Sequence, residues 1–120
     1  MPDTSIAPLD LAKALTWVDG DKELLAELVA VFLEDLPERT EALRAAVETE
    51  DAQGTERAAH SLKGAVASLG GETARALAYE LEQMGRAGRL AGVGLLFAEL
   101  EGELGRIARF LSEPSWLDQL

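Results

Sequence analysis

The sequence predicts an all-α protein, and three observations carry that prediction. Nearly half of its 120 residues are apolar, yet valine and isoleucine never form the alternating runs that strands need. Apolar residues recur instead at helical spacing, as at Leu24, Leu25, Leu28, Val29, Phe32 and Leu36. The connections between such stretches are short, which favours antiparallel neighbours. We therefore expect an antiparallel up-down four-helix bundle with two additional N-terminal helices packed at one end. One domain covers residues 1–120, with the bundle core at about 37–111.

Pro8 to about Val18 reads as a short first helix carrying Leu9, Leu11 and Leu15. Asp19-Gly20-Asp21 ends it and caps a second helix, which runs from about Asp21 to Leu36. Pro37 fits the first position of a third helix, because proline lacks the N–H that a first turn leaves unpaired anyway. That helix continues through Leu43 and Val47 to about Thr49. Asp51 caps a fourth helix over 52–69, and Gly70-Gly71 turns the chain into a fifth over about 72–86. Gly88 marks the expected turn before a sixth helix at about 90–111, whose four glycines leave it dependent on packing. The tail from Ser112 to Leu120, with Pro114 and Trp116, reads as irregular.

Composition removes several functions. The absence of cysteine excludes disulfides, thiolate zinc sites and thiol catalysis. A single histidine without clustered ligands argues against a transition-metal site. No stretch approaches the roughly 18 apolar residues of a membrane span. The start, Met1-Pro2-Asp3-Thr4-Ser5, lacks the basic and apolar regions of a secretory signal, so we expect a cytoplasmic protein. The net charge of −11 argues against nucleic acid as a partner. That charge is uneven: residues 54–90 hold four acids against five bases, the one stretch that is not acidic.

The one histidine lies in this stretch, within Ala59-His60-Ser61-Leu62-Lys63-Gly64. At about 100° per residue, Ala58, Ala59, Leu62, Ala65, Val66 and Leu69 fall within about 60° of one direction, roughly 200° from His60. Glu56, Arg57, Lys63, Gly64 and Ala67 fall on the histidine's own side. The imidazole is therefore expected in water, with Lys63 and Gly64 as surface neighbours at i+3 and i+4. Glycine costs a helix interior about 1 kcal/mol relative to alanine, and a cleared flank beside the ring is a good reason for it. Lysine suits a group that becomes dianionic. Counting outward from Gly70-Gly71 at 1.5 Å per residue puts His60 and Glu82 at the same height on adjacent helices. Glu82 or Gln83 could thus accept a hydrogen bond from one ring nitrogen and leave the other free to attack. Arg86, one turn beyond Glu82, could add a second cation, although the two could equally form an ordinary i, i+4 surface pair.

The run Ala59-His60-x-Leu62-Lys63-Gly64 followed by Gly70 resembles the signature of histidine-containing phosphotransfer (HPt) domains. Ala14-Leu15, Gly20-Asp21, Leu36-Pro37, Leu43, Asp51 and Leu81-Glu82 extend the similarity over most of the chain. The resemblance implies a phosphorelay carrier that takes a phosphoryl group from the aspartate of one receiver domain and passes it to another. It makes His60 the phosphoacceptor, Lys63 a phosphate-stabilising cation, Gly64 the steric gap and Glu82 the residue that bonds the ring. Relatives often carry Gln where Glu82 stands, and a small polar residue where this chain has Ala65. The implied partners are response-regulator receivers, with a hybrid sensor kinase as a further candidate, and family habit implies a monomer. Docking is expected near His60, with Ile6, Leu9, Leu11, Arg57 and Ala67 as candidates. An acidic helical adapter without phosphate chemistry is the alternative.

The chemistry agrees with this. A neutral imidazole already carries a lone pair that can attack phosphorus, so it needs no general base. The chain has no glycine-rich phosphate loop followed by lysine and serine or threonine. No cofactor is expected in it, and magnesium is expected only in the partner receiver.

Overall fold

The computed structural model describes residues 7–120. Its helices are α1 (Leu11–Trp17), α2 (Lys22–Glu48), α3 (Ala52–Ala67), α4 (Glu72–Ala87), α5 (Val93–Ser112) and α6 (Ser115–Asp118). No described residue lies in a strand, so the expected all-α class holds. Helix α2 packs on α3 and α5, and α4 packs on the same two, so the four long helices close a ring. Neighbours run in opposite directions: Arg39 of α2 bonds Ser61 of α3, while Ala46 faces Gly54. Leu43, Leu62, Leu81 and Leu100, one from each long helix, are fully buried inside.

The helices expected on either side of Pro37 are a single helix of 27 residues. Proline removes the bond to the Leu33 carbonyl and costs a helix interior about 3 kcal/mol. Packing overrides that penalty. Leu25, Val29, Phe32 and Leu36 before the proline, and Leu43 and Ala46 after it, form one buried stripe in continuous phase. A break at Pro37 would rotate half of this stripe out of the core. The packed ring therefore begins at Lys22 rather than near residue 37, and the second additional N-terminal helix is instead part of the ring. Among the described residues only α1 remains outside the ring at the N-terminal end.

Asp10 starts α1 by accepting from the Lys13 amide at 3.1 Å, so the helix begins at Leu11 rather than Pro8. The same residue ties this segment to the α3–α4 turn, its amide donating to the Gly70 carbonyl at 3.0 Å. Gly70 has a φ of +75°, and a Cβ there would stand 2.5 Å from the Asp10 carbonyl oxygen. Backbone conformation and close approach both require glycine at this turn. Asp21 and Asp51 cap α2 and α3 as expected, and α4 ends at Gly88. Helix α5 starts at Val93, later than the expected 90. The tail is not irregular throughout, because buried Trp116 donates its Nε1–H to the Leu111 carbonyl at 3.1 Å and anchors α6.

Helices α3 and α4 cross closely at Gly85. A Cβ on this residue would lie 2.6 Å from the Glu56 amide nitrogen and 2.7 Å from the Ala52 carbonyl oxygen. Backbone cannot swing aside as a side chain can. Gly85→Ala should therefore destabilise the fold by about 2–3 kcal/mol, and an unchanged urea midpoint would contradict this packing.

Candidate functional site

His60 stands in the middle of α3 with Ala59, Leu62 and Val66 buried behind it. Its side chain is 68% exposed, whereas the glutamate it touches is almost wholly buried. Nδ1 lies 2.7 Å from Glu82 Oε2. A carboxylate only accepts, so Nδ1 carries the proton and donates it, which leaves the lone pair on Nε2 at the outer side of the ring. The equal heights expected for residues 60 and 82 are thus realised as a direct contact. Glu82 makes the bond; Gln83 is rotated about 100° further around α4.

The other oxygen of the same carboxylate, Oε1, accepts from Lys63 Nζ at 2.6 Å. Burial alone would raise the Glu82 carboxyl, but the hydrogen bonds from Lys63 and His60 outweigh it and hold the group below its ordinary value. It is ionised at neutral pH. The Lys63 ammonium also sits 5.4 Å from the centre of the Tyr79 ring. Gly64 is exposed, and a Cβ added there would meet nothing within 4 Å. The flank beside the imidazole is open.

Arg86 joins the cluster, with Nη2 at 3.7 Å from Glu82 Oε2. Its closer partner is Glu56 of α3, whose Oε2 accepts from Nε at 2.9 Å. An ordinary surface pair does not describe this arrangement, because Glu82 is buried and shared among three cationic or protonated groups. Arg57 is exposed one turn before His60 and reaches Gln53 at 3.4 Å. Ala67 is half-buried two turns after the histidine.

The docking candidates from the N-terminal segment need correction. Ile6 lies outside the described residues. Leu9 and Leu11 are each 6% exposed and belong to the core, because α1 folds back onto the α3–α4 turn and buries them. The exposed large apolar residues on α2 are Leu24, Leu28 and Val31. Their i, i+4, i+7 spacing puts them on one helix face with Asp35 and Ala42. Those two line the groove between α2 and α3 together with Ser61, next to His60. Tyr79 was also missed, and Glu56, expected on the histidine's side, was not matched with Arg86. In an antiparallel pair, matching 60 with 82 also matches 63 with 79 and 56 with 86, so the register held both.

Among the described residues, no group of three or more His, Cys, Asp or Glu is placed to hold a metal ion. None of the described helices is long and apolar enough to cross a membrane.

No curated protein matches the sequence. Among solved structures, the chain is similar to the crystal structure of histidine-containing phosphotransfer protein B (HptB) from Pseudomonas aeruginosa PAO1. The identity is 25%, the alignment covers 93% of this chain and 96% of that one, and the TM-score is 0.81. The family model described as the Hpt domain matches residues 27–110. Since that span takes in most of the four-helix ring and the histidine displayed on it, the chain belongs to the Hpt domain family.

Proposed function

We propose that this chain is a phosphorelay carrier in which His60 Nε2 takes a phosphoryl group from a receiver-domain aspartate and passes it to a second receiver. The observation that carries the reading is an exposed ring held at one nitrogen by a buried carboxylate, with its flank open at Gly64. In transfer, the Nε2 lone pair forms the N–P bond as the P–O bond to the donor breaks and its electrons return to the donor carboxylate. Such a step needs mainly alignment and charge neutralisation. Lys63, one turn along, supplies a positive charge for the phosphoryl oxygens. A unit charge at about 4 Å is worth about 1–4 kcal/mol, the lower end at an open site. Arg86 adds a second. The chain acts as a carrier rather than an enzyme with its own ATP site, and the receiver provides magnesium and the acid pocket. We place it in the cytoplasm as a monomer.

Docking falls to the face where Leu24, Leu28 and Val31 lead into the α2–α3 groove beside Ser61. Val31→Glu should weaken receiver binding by about tenfold or more without altering helix content. An unchanged Kd would move the docking surface elsewhere. The function itself is tested by mixing the protein with a phosphorylated receiver. Label that is acid-labile and alkali-stable should appear on this chain, and its failure to appear with any phosphorylated receiver would refute the carrier reading.

A further inference from the structure

One buried carboxylate holds the His60 ring on Oε2, where Arg86 Nη2 also stands at 3.7 Å, and the Lys63 ammonium on Oε1. We propose that Glu82 is the counter-ion of the phosphorylated ring, so that His60 gains and loses the phosphoryl group without moving a proton. This rests on the carrier reading and concerns the charge state of the ring within it.

The electron balance makes the point. When Nε2 attacks from the Nδ1–H tautomer, the ring becomes an N-phosphorylated imidazolium and the donor oxygen keeps the electrons of the broken P–O bond. If Nδ1 then lost its proton, breaking the N–P bond would expel an imidazolate, a very poor leaving group. With the proton retained, the bonding pair returns to Nε2 and a neutral imidazole leaves. A carboxylate and an amide oxygen can both accept from Nδ1–H and select the tautomer. Only the carboxylate carries the charge that favours the cationic ring.

The surroundings leave that charge to Glu82. Lys63 and Arg57 on α3 and Arg86 on α4 are cations, and Arg39 of α2 bonds the neighbouring Ser61. Arg39 is paired with Asp35, which lines the groove beside Ser61 together with Glu38, so the cations nearest the ring are Lys63 and Arg86, both held on Glu82. Glu56 is engaged by Arg86, and Tyr79 lies under Lys63. Among the described residues, Glu82 is the one carboxylate within ion-pair distance of the His60 ring. Its two oxygens point to different partners, so Lys63 can turn to the phosphate without disturbing the bond to Nδ1.

The test uses phosphoramidate, a small phosphoryl donor that needs no receiver, on the full chain and on Glu82→Gln. The protonation of Nδ1 in phosphorylated His60 is followed against pH by 15N and 31P NMR. The midpoint should fall by about one pH unit or more in Glu82→Gln. Transfer to a receiver, measured above both midpoints, should then fall about tenfold or more. Glu82→Asp, which keeps the charge on a shorter arm, should recover part of the shift. Coincident titrations of the native and Glu82→Gln proteins would overturn the inference, even with transfer to receivers intact. A shifted midpoint without exchange with any receiver would instead uphold the ring's counter-ion and refute the relay.

Discussion

His60→Gln should abolish phosphoryl acceptance while leaving the fold unchanged. Glutamine is close in reach and can still donate to Glu82, but its amide nitrogen has its lone pair delocalised and cannot form a stable N–P bond. The native side chain is 68% exposed, so little packing is lost. Glutamine is also a good helix former. The measurement is acid-labile, alkali-stable label after mixing with a phosphorylated receiver, alongside a thermal melt. Label should drop to background with Tm nearly unchanged. Label persisting at the native level would remove His60 as the acceptor. An adapter working without phosphate chemistry would instead show intact signalling in His60→Gln.

Gly64→Gln should move stability and activity in opposite directions. A Cβ at this position meets nothing within 4 Å, so the fold does not require glycine there. Replacing a mid-helix glycine with a good helix former should stabilise the protein by about 0.5–1 kcal/mol. The new side chain would project one turn from the ring, in the space through which a receiver aspartate must approach. Displacing reacting atoms by about 1 Å can cost 10²-fold in rate, so transfer should slow by about that factor. A glycine kept for packing behaves differently: Gly85 has backbone atoms within 3 Å of its would-be Cβ, and its substitution should harm stability first. Unchanged transfer in Gly64→Gln would remove the steric argument.

Much of the site was legible because it is local. The buried stripe of α3 runs through Ala59, Leu62 and Val66, and a regular helix then leaves its opposite face to His60. Lys63 and Gly64 follow from the same geometry. The height of Glu82 followed from counting along two helices that share one turn. The long helix α2 was legible too, but misread. Its stripe stays in phase from Leu25 to Ala46, and that continuity outweighed the local signal of Pro37. Local preference at a proline amounts to about 3 kcal/mol, and a ring of long helices recovers it through packing along the whole stripe.

The chain alone settled which side chains share a surface within one helix, since that depends on residues a few positions apart and a fixed pitch. It could not settle burial. Glu82 as a buried hub for His60 and Lys63, and Leu9 and Leu11 as core rather than docking surface, depend on how segments distant in sequence meet. The same is true of the exposed face of α2. Burial is a sum over every neighbour a side chain acquires, and those neighbours exist only once the helices have packed.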